Sequence, residues 1–180
     1  MIEQFRNTKS GSCYILGKGE SINNYEFDDR FRIGINDVGV IYRVDIGICG
    51  PDAANKIWLL KSELHKRIPV LAPISNWALP GMHLYQPRIM LPLIENTLYN
   101  KGRVTISSAI ALAKTMGFDS AIVVGVGDEY YAEPWRSKYR KYNQIDQLTN
   151  RRDKPYRDTK ERKQFAVDIG NELEIEIEVI

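Results

Sequence analysis

Two short, wholly apolar runs, each stopped by glycine, constrain this chain most. Cys13–Leu16 (CYIL) runs into the turn GKGES, and Ala121–Val124 opens the segment AIVVGVG. A strand that is apolar on both faces must be covered on both, as the strands of a parallel sheet flanked by helices are.

Between and beyond these runs the hydrophobic period switches repeatedly. FRIGIN (Phe31–Asn36) predicts a second strand, and VDIGICG (Val44–Gly50) a third, closed by Gly50 and Pro51. PVLAP (Pro69–Pro73) predicts a short fourth. Residues 56–67 place Ile57, Leu60 and Leu64 at helical spacing. Ser107–Phe118 is the clearest helix: it is alanine-rich, begun by Thr105 or Ser107 and ended at Gly117. Lys160–Gly170 predicts a helix with a basic face. LEIEIEVI alternates strictly from Leu173 to Val179, which turns its glutamates to water and puts it near a sheet edge. Residues 1–11 read as a loose polar lead-in, and residues 74–103, with Pro80, Pro87 and Pro92, read mostly as loop. Strands alternating with helices predict an α/β chain: a single Rossmann-like domain over residues 1–180, with a mostly parallel sheet, helices on both faces and a basic lid segment at about 130–159.

Composition narrows the class. Hydrophobic residues at 43% and charged residues at 27% exclude a disordered chain. No apolar run approaches the roughly 20 residues of a membrane span, and the N-terminal segment lacks an apolar export signal. With two cysteines, each on a predicted strand, buried free thiols and a cytoplasmic location are expected. Net charge is +2 but uneven: residues 136–163 carry eleven Lys/Arg against four Asp/Glu. That basic segment suits an anionic partner, whether phosphate, sugar nucleotide or nucleic acid.

Ligands of such sheets collect at the carboxyl ends of the strands. Gly17, Lys18, Gly19 and Ser21 follow the first strand directly. Glycines there let backbone approach a phosphate, a following helix start adds partial positive charge, and Lys18, expected to be exposed, adds a full one. The spacing matches neither the dinucleotide fingerprint nor a P-loop, and a plain tight turn fits it equally well. Asn36 ends the second strand and either caps a turn or contacts a nucleotide; Asp52, in GPD, has the same two readings. Thr105, Ser107 and Ser108 open the clearest helix, as caps or as anion ligands. Asp128 follows the AIVVGVG strand and is a candidate general base or metal ligand, or the start of a turn. His65 and His83 have no metal-spaced neighbours, and no zinc site or serine triad is present in the pattern. The tyrosines and Trp135 after residue 129 interleave with Arg and Lys, as a base-stacking surface or as a solvated cover.

The order ILGKGES, IGIND, GPD and MGFDSAIVVGVGDEY resembles the bacterial sialyltransferase-like superfamily, which includes 6-hydroxymethylpterin pyrophosphokinase-type proteins and small phage-encoded relatives. The resemblance covers roughly Cys13–Gly127 and the final helix and strand. It implies a nucleotide-activated sugar held by the Gly-rich turn, where Lys18 replaces the family's asparagine and Glu20 its proline. Asn36 matches a nucleotide-contacting asparagine. Thr105 fits the serine of the family's T-S-G segment, with Ile106 in place of the glycine. Lid tyrosines of the family hold the departing phosphate, and Tyr130, Tyr131, Tyr139 and Tyr142 are the candidates. The family's base is a lid histidine; no histidine follows His83, and Lys154 and Tyr156 stand near that position. The catalytic candidates are thus Asp128, Tyr156 and Lys154. The expected function is a glycosyltransferase-like one. The alternatives are a pyrophosphokinase-like enzyme using Mg2+ on a diphosphate, and a non-catalytic nucleotide- or nucleic-acid-binding protein that uses the basic 136–163 segment.

Overall fold

The computed structural model describes residues 2–50, 62–73, 81–88, 97–101, 105–128, 131–133, 135, 137 and 159–180. Their strands form one eight-stranded sheet: β1 (Ser12–Leu16), β2 (Phe31–Ile35), β3 (Ile46–Ile48), β4 (Val70–Pro73), β5 (His83–Arg88), β6 (Thr97–Tyr99), β7 (Ser120–Val124) and β8 (Glu176–Val179). Every neighbouring pair is parallel. The order is β6-β5-β4-β3-β2-β1-β7-β8. The chain therefore builds outward from β1 to β6, then returns to place β7 on the other side of β1. This is an α/β Rossmann-like fold, with its topological switch point between β1 and β7.

The two faces are covered differently. Cys13, Ile15, Ile33, Ile48, Ala121 and Val123 share one core with the long helices α2 (Thr105–Met116) and α3 (Thr159–Leu173). On the other face, Tyr14, Leu16 and Val124 pack with Ile22, Val38, Val44, Ala132 and Trp135. Farther along that face, Val70 and Ala72 meet Leu64 of the short helix α1 (Leu64–Arg67). Each fully buried aliphatic side chain contributes about 1.5–3 kcal/mol of transfer free energy, so both layers matter to stability.

Helix α2 ends as the sequence suggests. Gly117 has φ +100°, its N–H donates to Lys114 O at 3.0 Å, and the Phe118 N–H donates to Ala113 O at 3.2 Å. This pair of bonds caps the helix through a left-handed residue that glycine adopts without strain. β8 lies at the sheet edge with Glu176 and Glu178 exposed, as its alternation predicts. Leu173, the first residue of the alternating run, belongs instead to α3, because the chain turns at Glu174, whose φ is +54°.

Three expectations change. Residues 74–103, expected to be mostly loop, contain β5 and β6 among their described residues. Pro87 is tolerated in β5 because β4 pairs only as far as Tyr85, so its missing donor falls past the end of that ladder. The N-terminal segment is not loose: Ile2 is buried, and Asn7 and Lys9 donate backbone N–H groups to Thr115 O and Met116 O at the end of α2. The helix start expected after the Gly-rich turn is a single 3-10 turn, Glu20–Asn23, with Gly19 as its N-cap and Ser21 inside it. Of the helix expected over 56–67, residues 56–61 lie outside the described residues, as does most of the lid segment.

Candidate functional site

The switch point is closed by two interlocked turns. The Gly17 N–H donates to Val124 O and the Gly19 N–H to Gly125 O, both at 2.8 Å. Ser21 donates its N–H and its hydroxyl to Asp128 Oδ2, at 2.8 and 2.7 Å, while the Gly125 N–H donates to Ser21 Oγ at 3.0 Å. A β-carbon on Gly17 would lie 2.2 Å from Gly125 O, and one on Gly19 would lie 2.2 Å from Asp128 Oδ2. The glycines are thus required by the approach of one turn to the other. The N–H groups of Gly17, Gly19 and Ser21, expected to face a phosphate, are engaged in this closure. Asp128, expected as a base or metal ligand, is buried and caps the Glu20–Asn23 turn. Both bonds from Ser21 fall on one oxygen, Oδ2, which is thereby committed to the turn.

Lys18 is not exposed, which corrects the sequence expectation. It is 9% exposed, and its Nζ lies 3.1 Å from Oδ1 of Asp37, which is fully buried. A lysine held in a close-packed turn needs a carboxylate, and the residue after Asn36 supplies it. Asp37 Oδ2 also accepts the indole N–H of the fully buried Trp135 at 3.1 Å. Trp135 stacks on Tyr42 with ring centroids 6.0 Å apart. The segment before it runs across the Gly-rich turn: the Ala132 N–H donates to Lys18 O at 2.8 Å, Tyr131 forms a bridge with Gly19, and the Tyr131 ring lies 5.5 Å from Lys18 Nζ. The described start of the expected lid is therefore a strap over Lys18. The sequence showed Asp37 and Trp135 but not their meeting, which joins positions 98 residues apart.

Next to this pair three chain segments meet at a tight polar notch. Asn36 leaves β2 in a left-handed conformation, φ +59°, and its Oδ1 accepts the Gly50 N–H at 2.9 Å. A β-carbon on Gly50 would come within 2.4 Å of Thr105 Oγ1 and 3.6 Å of Asn36 Oδ1. Asn36, Gly50 and Thr105 thus close on one another at the ends of β2 and β3 and the start of α2, leaving no room for a side chain on Gly50. Thr105 is half-buried and its hydroxyl makes no hydrogen bond among the described residues. Ser107 is different: it is fully buried and donates to Lys101 O at 3.2 Å, tying α2 to the end of β6. Cys49 lies below the notch. Burial pushes its thiol up from the ordinary range, with the charge of Asp37 adding and that of Lys18 opposing. Cys13 is pushed up to about 12 by burial. Both are free buried thiols, as expected.

The contacts thus join Gly17, Gly19 and Ser21 to Gly125 and Asp128, Lys18 to Asp37, and Asn36 and Thr105 to Gly50, while Ser107 turns to Lys101. Asp52, Lys154 and Tyr156 lie outside the described residues. Among the described residues, no group of three or more His, Cys, Asp or Glu side chains is placed to hold a metal ion. The described acidic groups of the rim fit Mg2+ poorly, since Asp37 faces Lys18 and Asp128 faces Ser21. No helix among the described residues is long and apolar enough to cross a membrane.

Fold and rim together define an α/β protein of the Rossmann-like class with a polar notch beside its switch point. No family model and no curated protein matches the sequence.

Proposed function

We propose that this protein binds the nucleotide part of an activated sugar along the carboxyl rim of β1–β3, and that it acts as a glycosyltransferase-like enzyme. One observation supports the reading: Asn36, Gly50 and Thr105, from three separate segments, converge at one tight notch on the carboxyl rim, next to the Lys18–Asp37 pair. The start of α2 directs its backbone N–H groups and partial positive charge to that notch, which suits a phosphate. Asn36 and Thr105 supply the neutral hydrogen bonds that orient a ribose or phosphate. In transfer, the anomeric carbon leaves the phosphate oxygen for an acceptor hydroxyl, whose proton passes to a base; the resemblance assigns that base to the region of Lys154 and Tyr156.

A second reading is a non-catalytic nucleotide binder, favoured by the engagement of Lys18 and Asp128 with structural partners. The pyrophosphokinase alternative would need Asp128 to hold a metal through the oxygen that Ser21 does not engage.

The test is thermal unfolding with 1 mM CMP, UDP, GDP or ATP and their sugars, with and without magnesium. A site of micromolar affinity then stabilises by about 4 kcal/mol, a shift easily seen. Thr105→Val should reduce the shift without lowering the melting temperature of the free protein. If no nucleotide shifts the protein, both readings fall; a shift without consumption of any sugar donor leaves the second.

A further inference from the structure

A second group of polar side chains lies one helical turn below the notch. Tyr85 (β5) and Ser108 (α2) are fully buried, and Asn100, which follows β6, is 9% exposed. Burial pushes the Tyr85 phenol up, the approach of the Ser108 and Asn100 side chains within hydrogen-bonding reach opposes that, and Cys49 adds to it. Yet Tyr85 Oη, Asn100 Oδ1 and Ser108 Oγ have no partner in hydrogen-bonding geometry. Three buried polar groups left this way in one place are costly, and native proteins meet such groups with a ligand or an internal water. Their position argues for a ligand: Asn100 and Cys49 directly follow β6 and β3, on the rim where α/β sheets bind substrates. Ser108 is three residues after Thr105 and so lies on the same side of α2 as the notch.

The chemistry of this group is uncharged. Burial raises the Tyr85 phenol, so it stays protonated, and burial holds Cys49 as a thiol. Lys101, the next residue after Asn100, is paired with Glu172. Ser108 is the fourth residue of α2, where the N-terminal field is already falling off. A carboxylate placed among Tyr85, Asn100 and Ser108 would be desolvated without a described cation, whereas a hydroxyl can both donate and accept there.

We propose that Tyr85, Asn100 and Ser108 form a second subsite that takes an uncharged, hydroxyl-bearing group, so that the sugar carried by the bound nucleotide is neutral rather than acidic. This rests on the nucleotide-binding reading above, and the experiment separates the two. Affinities for bare UDP, GDP and CMP test the nucleotide site. UDP-glucose against UDP-glucuronate, which differ only in a hydroxymethyl versus a carboxylate, with GDP-mannose and CMP-sialate alongside, test the subsite by calorimetry.

The expected result is at least tenfold tighter binding of a neutral sugar nucleotide than of its bare nucleotide and of the acidic donors. Ser108→Ala and Tyr85→Phe should each erase that gain while leaving bare-nucleotide affinity unchanged. Ser108→Ala serves if Tyr85→Phe fails to fold. Four outcomes overturn the proposal. The first is an acidic donor that binds as tightly or more tightly. The second is a sugar that adds nothing over the bare nucleotide. The third is a full gain kept by both variants, which would leave the three groups to an internal water only. The last is the absence of binding by any nucleotide, which removes the first site as well.

Discussion

Removing one charge of the Lys18–Asp37 pair should destabilise the protein far more than removing both. Lys18→Met leaves the fully buried Asp37 carboxylate without its ammonium, and Asp37→Asn leaves a 9%-exposed ammonium without its carboxylate. Breaking a buried pair from one side costs about 3–5 kcal/mol, because the remaining charge is desolvated and uncompensated. In a chain of this length each kcal/mol lowers the melting temperature by about 2–4 °C, so each single variant should fall by about 6–20 °C. The double variant Lys18→Met/Asp37→Asn carries no buried charge and keeps an acceptor for the Trp135 indole, so it should lie within about 2 kcal/mol of the parent, as uncharged replacements of buried pairs often do. The two singles would then be strongly coupled, well beyond the few tenths of a kcal/mol by which independent sites depart from additivity. Urea unfolding followed by Trp fluorescence measures all four corners of the cycle, with equal slopes required for the comparison. If each single variant falls within about 1 kcal/mol of the parent, as for an exposed ion pair, the reasoning fails. Lys18 would then be solvated and available to an anion.

Gly17→Ala should cost about 3 kcal/mol, the upper part of the overpacking range, since its β-carbon meets Gly125 O at 2.2 Å. Gly11→Ala, with open space around it and φ +74°, should cost only about 1 kcal/mol of left-handed strain, and urea midpoints compare the two. Asp128→Ala leaves the Ser21 N–H and hydroxyl without their acceptor and should cost about 1–3 kcal/mol; if nucleotide affinity survives in this variant, Asp128 is a cap and not a ligand. The carboxyl of Glu172 is held below its ordinary 4.5 by hydrogen bonds from Lys101 and then Tyr99. Because the folded value is depressed, its stabilisation is present above pH 4.5 and is lost as pH falls through the folded value. Melting curves across that window should show a shallower acid decline for Glu172→Gln than for the parent.

Much of the sheet was legible because its signals are local. Cys13–Leu16 and Ala121–Val124 are apolar on both faces and stop at glycine, and the structure places them side by side as β1 and β7. The Gly117 stop of α2 and the alternating edge strand β8 are also written in a few neighbouring residues. β5 and β6 were not legible. HLYQPR alternates poorly and contains proline, and Thr97–Tyr99 has three residues, too few to show a period. Their strand state comes from pairing with β4 and with each other, which is tertiary information.

The site divides along the same line, and the division bears on function. Sequence order could collect Gly17–Ser21, Asn36, Thr105 and Asp128 at one rim, because residues that follow parallel strands share an end of the sheet. It could not say which donors were already engaged. Glycines that permit a phosphate to approach also permit another backbone to approach, and here Gly125 and Asp128 occupy that space. The lysine that would neutralise a phosphate likewise neutralises Asp37. What stays unmatched is one step away, at the Thr105 hydroxyl, the Gly50 notch and the Tyr85–Asn100–Ser108 group. If a nucleotide binds with the Lys18–Asp37 pair intact, its contacts are at that notch. If it draws Lys18 toward its phosphate, Asp37 is left without its ammonium and the strap carrying Trp135 must respond. Indole fluorescence on titration of a Trp58→Phe/Trp77→Phe protein, in which Trp135 is the single indole, distinguishes these cases, because only the second disturbs the hydrogen bond from Trp135 to Asp37.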